Sequence, residues 1–186
     1  KLLSDALGVS FDNSVGHDYL NDYDDRYDFY HRVESRIRFD LDLFNKITKG
    51  GFPIKTLNIA LAGTGVGKSL FMCHCAASSI SQGHNVLYIT MEMAEEKIAE
   101  RIDANLMNID LNELQTISKS EYERKFEILK SKTHGKLIIK EYPTASAHSG
   151  HFRALLEELK LKREFTPDII FIDYLNICGS QRMKQG

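Results

Sequence analysis

The sequence predicts an α/β fold in which a largely parallel sheet carries helices on both faces. Two observations predict it: strand-like runs alternate with helical runs, and several of these strands end in residues typical of a ligand site. The chain has 186 residues, of which 42% are hydrophobic and 27% charged. That composition is ordinary for a globular domain and sufficient for a sizeable core.

The first predicted strand, Leu57 to Ala62, leads into a glycine-rich loop that ends in Gly67-Lys68-Ser69. In such a phosphate-binding loop, glycines let backbone N–H groups point inward at phosphates, the lysine reaches the β- and γ-phosphates, and the serine ligates Mg²⁺. A helix predicted over Leu70 to Ile80 adds its N-terminal dipole. Ala62 stands where the usual pattern has glycine, and alanine is the smallest substitute.

The loop therefore predicts binding of ATP, or another NTP, with Mg²⁺. The alternative is a chance Gly-Lys-Ser in an ordinary strand-to-helix turn. The nucleotide-binding residues predicted are Ala62, Gly63, Thr64, Gly65, Val66, Gly67, Lys68, Ser69 and Leu70.

Three further strands and several helices follow. The strands are predicted at Asn85 to Thr90, Lys136 to Tyr142 and Asp168 to Asp173. The helices are predicted at Ala94 to Met107, Ser118 to Lys132 and His151 to Arg163.

Two carboxylates come at the ends of these strands, on the edge where the loop also lies. Asp173 ends a continuous apolar strand, as in a Walker B element, whose aspartate holds Mg²⁺ together with the loop serine. The alternative is a strand-terminal aspartate with a local hydrogen bond only. Glu92 follows the second strand and is predicted to orient and deprotonate an attacking water. The alternative is a glutamate that complements the helix dipole, as Glu95 and Glu96 do.

The first 35 residues are predicted to form a linker and helical extension ahead of a nucleotide-binding domain over 36–186. Lys1 to Leu7 has apolar residues at helical spacing, and Asp18 to Val33 carries a stripe of tyrosines among aspartates. We expect this stripe to pack against the core, because acidic neighbours repel phosphates. A stacking platform for bases is the alternative. Since the chain begins with Lys1 and no further strand-helix unit follows Asp173, we expect an internal fragment.

Charge and cysteine usage limit the class of protein. With 24 Lys and Arg against 26 Asp and Glu, the net charge is −2 and predicts no general polyanion-binding surface. The Cys73-His74-Cys75 run suggests zinc, but residues two apart on a helix point away from each other, so buried side chains are expected. No 18-residue apolar run or signal pattern appears, which predicts an intracellular protein without a membrane span.

Longer runs carry a more specific signal. The runs Ala62 to Ser69, Thr90-Met91-Glu92-Met93 and Ile172-Asp173-Tyr174-Leu175 resemble the RecA-like motor domain of DnaB-type replicative helicases. Within that family, Met91 to Glu96 and Arg101 to Asn105 resemble the replicative helicases of T-even-type phages. The resemblance extends from about Phe11 to Cys178.

The resemblance implies a homohexameric ring, with ATP sites between subunits, that translocates 5′ to 3′ on single-stranded DNA. It assigns phosphate binding to Lys68, Mg²⁺ to Ser69 and Asp173, and catalysis to Glu92 together with Lys68 and Asp173. The RecA-like ATPase domain would span 36–186 and lack its C-terminal part. A linker helix at Lys1 to Leu7 would pack on the adjacent subunit, and Arg182 and Lys184 would begin a DNA-facing loop. A primase, a helicase loader and the replication polymerase are the implied partners, in the host cytoplasm if a phage encodes the chain.

Two other function classes share part of this pattern. A P-loop kinase for small molecules would also have the phosphate-binding loop, but it typically needs an arginine-bearing lid, and no arginine-rich insert is present. Another RecA-like ATPase, a recombinase or an ATP-dependent switch, would share the fold and the glutamate after the second strand.

Overall fold

The computed structural model describes residues 16–32 and 34–179. Backbone contacts divide the chain into two compact units, 1–35 and 36–186. The helix predicted over Lys1 to Leu7 and the two predicted DNA-binding residues, Arg182 and Lys184, lie outside the described residues.

In the first unit, α1 spans Tyr23–His31 and has Asp24 and Asp25 in its first turn, where the helix dipole favours carboxylates. Within this unit the tyrosine stripe is not covered, and its packing against the core stays a prediction. The tyrosines, whose side chains are 61–74% exposed, are Tyr19, Tyr23, Tyr27 and Tyr30. Tyr23, Tyr27 and Tyr30 lie on one side of α1, and Asp24, Asp25 and Asp28 lie on the other.

The second unit begins with a small antiparallel pair, in which β1 (Arg36–Ile37) pairs with β2 (Phe52–Pro53), and α2 (Asp42–Ile47) lies between them in sequence. Gly51 makes this pairing possible. A Cβ at this position would lie 2.1 Å from the carbonyl oxygen of Ile37, and the φ of +123° is one that side chains rarely adopt.

The rest of this unit contains three strands separated by one or more helices. In chain order they are α3 (Lys68–Ser81), β3 (Val86–Thr90), α4 (Glu95–Met107), α5 (Leu111–Thr116), α6 (Lys119–Lys132), β4 (Leu137–Glu141), α7 (Ser149–Arg163), β5 (Ile169–Asp173) and a 3₁₀ turn (Leu175–Ile177). None of the helices in the described part of the chain is both long and apolar enough to cross a membrane.

The larger sheet has three parallel strands in the order β4-β3-β5. Thr90, the last residue of β3, is in register with Glu141 of β4 and Asp173 of β5. The three carboxyl ends therefore lie at one edge. The predicted parallel sheet is confirmed, and three of its four predicted strands end within one residue of their predicted bounds.

The prediction of a strand over Leu57 to Ala62, the first in chain order, is wrong. Residues 56–63 have no regular secondary structure, and Leu57, Ile59 and Leu61 are 83%, 74% and 95% exposed. Alternating apolar residues form a strand only where a neighbouring backbone completes the hydrogen bonds. No strand in the described ranges pairs with this segment, and β5 has β3 as its one partner there.

The core lies on both faces of the sheet because side chains of β3 alternate between them. Val86 and Tyr88 pack with α3 and α4 on one face. Leu87 and Ile89 pack with α7 on the other. All four are at most 1% exposed, so burial on both faces holds β3 at the centre. The prediction of helices on both faces is confirmed.

Candidate nucleotide-binding site

The glycine-rich loop turns directly into the N-terminus of α3. Gly65 and Gly67 have φ values of +75° and +102°, in the left-handed region that glycine adopts without strain. Gly67 precedes the helix, and its carbonyl oxygen accepts the first helical hydrogen bond from Phe71 N at 2.9 Å. Lys68 and Ser69 are therefore the first two residues of α3. Their backbone N–H groups have no partner within the helix and are free to meet an anion.

Lys68 reaches across to the end of β5. Its Nζ lies 3.7 Å from Oδ1 of Asp173 and 3.9 Å from the centre of the Tyr174 ring. The lysine side chain is 23% exposed and that of Asp173 only 1%. At 3.7 Å the two charges attract, but they do not form a hydrogen bond. The ammonium is thus held beside a buried carboxylate and over an aromatic face.

Asp173 has one satisfied and one unsatisfied carboxylate oxygen. Oδ2 accepts a hydrogen bond of 3.1 Å from the hydroxyl of Tyr88. Burial raises the pKa of Tyr88 far above its ordinary value, and the nearby Cys73 and Asp173 add to the shift, so this phenol stays a donor. Oδ1 is buried without a hydrogen-bond partner. A buried acceptor of this kind is costly unless a cation or donor completes it.

The residues fit a divalent cation. The unsatisfied Oδ1 of Asp173 is a hard oxygen ligand at the carboxyl edge of the sheet. The start of α3 places the Ser69 hydroxyl directly after Lys68, whose ammonium lies next to that oxygen. A carboxylate and a hydroxyl beside a phosphate-binding loop are the protein ligands that Mg²⁺ typically takes.

Glu92 projects from the same edge. It lies two residues after Thr90, which pairs with Asp173 in the β3–β5 register, and its side chain is exposed. The backbone on either side of it is fixed: Met91 N donates to the carbonyl oxygen of Asp173 at 2.9 Å, and Thr90 Oγ1 contacts both polar backbone atoms of Met93. The carboxylate therefore faces solvent from a rigid support.

The structure brings only part of the predicted site together. Lys68 and Asp173 are in direct contact, and Glu92 shares their edge. The preceding loop residues, from Ala62 through Gly63, Thr64 and Gly65 to Val66, are exposed, as is Leu70. Their exposure leaves this side of the loop open to a ligand.

Sequence reasoning missed two aromatic residues of the site. The Tyr88 hydroxyl donates a hydrogen bond to Asp173, and the Tyr174 ring makes a cation–π contact with the Lys68 ammonium. The alternation of β3 predicts that Tyr88 faces a helix layer, but it does not identify the hydroxyl's partner. Tyr174 directly follows Asp173, the predicted Walker B aspartate, and that position was its only signal.

Comparison with known proteins decides the family. Residues 37–186 match the family model described as the DnaB-like helicase C terminal domain. The chain belongs to this family. It is also 49% identical to a DnaB-like replicative helicase of Enterobacteria phage T4, over 98% of this chain and 39% of the relative. The predicted resemblance to DnaB-type helicases is confirmed.

The fold agrees with this assignment to the DnaB-like family. A solved structure, described as that of a DnaB-like replicative helicase and its interactions with primase, matches with a TM-score of 0.62. The match covers 98% of this chain and 45% of that one at 15% identity, so it shows the fold alone. The chain spans about 39% of the length of its phage relative.

Proposed function

We propose that this chain is the ATP-hydrolysing motor of a replicative DNA helicase. One observation carries the proposal: Lys68, at the start of α3, lies 3.7 Å from the buried and unsatisfied Oδ1 of Asp173, at the end of β5. A cation-binding carboxylate next to a phosphate-binding lysine is the arrangement that an Mg²⁺–nucleotide complex requires. Membership of the DnaB-like family supports the choice of DNA as the track.

Each residue has a defined task in this proposal. The backbone N–H groups of residues 63–69 and the Lys68 ammonium bind the phosphates, while Ser69 and Asp173 hold the metal ion. Bound Mg²⁺ supplies neutralisation of the charge that develops on the phosphate oxygens. Glu92 orients the attacking water and accepts its proton, a role supported by its exposed side chain at the same edge of the sheet.

Membership of the DnaB-like family supports a proposal for the wider assembly. We propose that copies of the chain form a hexameric ring around single-stranded DNA and move 5′ to 3′ along it, with ATP hydrolysed between subunits. Residues 1–35 would link this motor to its neighbours, and Arg182 and Lys184 would contact DNA phosphates. A primase is mentioned for the solved DnaB-like structure. Primase, a helicase loader and the replication polymerase are the partners proposed here, in the cytoplasm of the phage host.

The test is the ATPase activity of the full-length protein with and without single-stranded DNA. We expect strong stimulation by DNA, a loss of turnover of at least about 100-fold in Glu92→Gln and retained nucleotide binding. Glu96→Gln is the matched control, because Glu96 is an exposed glutamate in the first turn of α4 and should remain active. DNA-independent turnover, or a fully active Glu92→Gln, would overturn the proposal.

A further inference from the structure

We propose that Thr144 is a positioning residue for Glu92: its hydroxyl fixes the peptide bond that carries the glutamate. This inference rests on the proposed function, in which Glu92 acts on the attacking water. It assigns a task to the loop between β4 and α7, residues 142–148, which is remote from Glu92 in sequence and carries no recognisable motif.

The key contact is made on Met91, the residue before Glu92. The Thr144 hydroxyl donates a 2.9 Å hydrogen bond to the Met91 carbonyl oxygen. That carbonyl belongs to the peptide bond between Met91 and Glu92, so the hydrogen bond restrains the plane of that peptide. Met91 N donates to the carbonyl oxygen of Asp173 at 2.9 Å, and the residue is 2% exposed. Both polar backbone atoms of Met91 are therefore held.

A second threonine, Thr90, restrains the backbone of the residue after Glu92. Thr90 Oγ1 accepts from Met93 N at 3.1 Å and donates to the Met93 carbonyl oxygen at 2.8 Å. Thr90 is fully buried at the end of β3. Glu92 is thus an exposed side chain between two backbone positions that hydroxyl groups restrain. Its carboxylate has rotamer freedom but little backbone freedom.

The loop that presents Thr144 is itself anchored. At its start, Tyr142 N donates to the Thr90 carbonyl oxygen at 2.9 Å. Further along, Ala145 N donates to Ile177 O at 2.9 Å, and Gly179 N donates to Ala147 O at 2.7 Å. The loop is therefore bound both to β3 and to the segment that follows Asp173, and it can transmit a fixed geometry to the Met91–Glu92 peptide.

The competing explanation is that Thr144 only stabilises its own loop. A loss of stability would lower the melting temperature and disturb nucleotide binding and turnover together. A positioning role makes a different prediction, because misplacing a catalytic base by about 1 Å costs up to about 100-fold in rate while binding is retained. The ratio of the effect on kcat to the effect on nucleotide Kd separates the two.

The experiment uses the full-length protein and compares Thr144→Val, Thr144→Ala and Thr144→Ser. Valine keeps the shape of threonine without the hydroxyl, and serine keeps the hydroxyl. We expect kcat of the DNA-stimulated ATPase to fall about 10- to 100-fold in the valine and alanine variants, with nucleotide Kd within about twofold. Serine should restore kcat to within about threefold of the parent.

Thr116→Val is the matched control. Thr116 is, like Thr144, an exposed residue whose hydroxyl donates to backbone carbonyl oxygens, here those of Asn112 and Glu113 at the end of α5. It should keep the parental kcat.

Glu92→Gln, assayed in parallel, separates the two proposals. Inactive Glu92→Gln with fully active Thr144→Val and Thr144→Ala would overturn the positioning role alone. Active Glu92→Gln would overturn the proposed function itself. Equal losses in kcat and in nucleotide affinity, or a serine variant as slow as the alanine variant, would also overturn the positioning role. If Thr144→Val does not fold, the alanine and serine pair decides by the same criteria.

Discussion

The Nζ atom of Lys68 lies 3.7 Å from Oδ1 of Asp173, although the lysine begins a helix and the aspartate ends a strand far along the chain. The aspartate is buried, and this oxygen has no hydrogen-bond partner. The lysine is therefore the nearest described compensation for a buried negative charge. In the proposed function the same ammonium binds phosphate, so nucleotide binding and the charge balance of Asp173 are physically linked.

We expect a measurable coupling energy between Lys68 and Asp173. Removing the cation in Lys68→Met leaves the buried carboxylate uncompensated, so we expect a loss of about 1–3 kcal/mol in the free energy of unfolding. In the double variant, Asp173→Asn makes the buried group neutral, so most of the loss caused by Lys68→Met should be absent. Urea unfolding of all four proteins in a double-mutant cycle measures the coupling.

The pair Lys162 and Glu158 is the control for this cycle. Its Nζ–Oε1 distance is shorter, 2.6 Å, but both side chains are exposed, 73% and 54%. Solvent screening should make its coupling energy much smaller than that of the buried pair. Equal coupling energies in the two pairs would contradict the importance of burial.

Tyr174 should act on nucleotide binding through its ring rather than its hydroxyl. The Lys68 ammonium lies over this ring, 3.9 Å from its centre, and a cation–π contact there restrains the lysine near Asp173. We expect Tyr174→Leu to weaken nucleotide binding about 2- to 10-fold and Tyr174→Phe to leave it within about twofold. Titration with a fluorescent nucleotide measures both. Equal losses in the two variants would show that the hydroxyl matters instead.

Tyr88 should contribute to stability through a single hydrogen bond. Its hydroxyl donates to Oδ2 of Asp173, and Tyr88→Phe keeps the ring but leaves both carboxylate oxygens without a donor. We expect a loss of about 1–3 kcal/mol in the free energy of unfolding, measured in urea. Tyr122→Phe is the comparison, since it removes a 2.9 Å hydrogen bond to Asp103 nearer the surface, and it should cost less. A neutral Tyr88→Phe would argue against the pairing.

The cysteines should differ in reactivity. Cys73 and Cys75 are 2% and 4% exposed, and burial raises the pKa of both thiols, that of Cys75 to about 12 with a further contribution from the charge of Asp40. Because the thiolate is the reactive form, iodoacetamide at pH 8 should leave both unmodified in the folded protein. Partly exposed Cys178 should react first, and all three should react in urea. Peptide mass spectrometry measures the labelling of each cysteine. Rapid labelling of Cys75 in the folded state would contradict this prediction.

Asp103 should make stability depend on pH. Burial raises its pKa above the usual 3.8, against the opposing effect of the Tyr122 hydrogen bond. The folded state therefore holds the proton more tightly than the unfolded state, and this contribution to stability is full at low pH and lost as pH rises through the raised pKa. Asp103→Asn keeps an acceptor for Tyr122 and cannot ionise. Its stability relative to the parent should thus be greater at pH 7 than at pH 4.

Urea unfolding at the two pH values tests this dependence. Asp28→Asn, on exposed α1, is the control and should show the smaller change between them. A stability difference for Asp103→Asn that stays constant from pH 4 to pH 7 would contradict the buried-carboxyl argument.

Local pattern was sufficient for much of the fold. The buried runs of β3 and β5, and the apolar spacing of α4 through Ile98 and Ile102, are properties of short segments, and they predicted those elements to within one residue. The same reasoning failed for Leu57 to Ala62. Its alternation equals that of a strand, but a strand also needs hydrogen-bonding neighbours, which belong to other parts of the chain.

By itself, the sequence determined the family and the carboxylates at the strand ends, and it predicted a phosphate-binding loop, because these depend on residue types at short spacing. Only the tertiary structure decided which side chains are in contact. Lys68 pairs with Asp173, the Tyr88 hydroxyl donates to the same aspartate, and the Thr144 hydroxyl donates to the carbonyl oxygen of the peptide before Glu92. The physical reason is that parallel strands connected through helices bring distant residues to one edge. Which hydroxyl or ammonium then meets which carboxylate depends on register, burial and side-chain packing, which are properties of the folded chain as a whole.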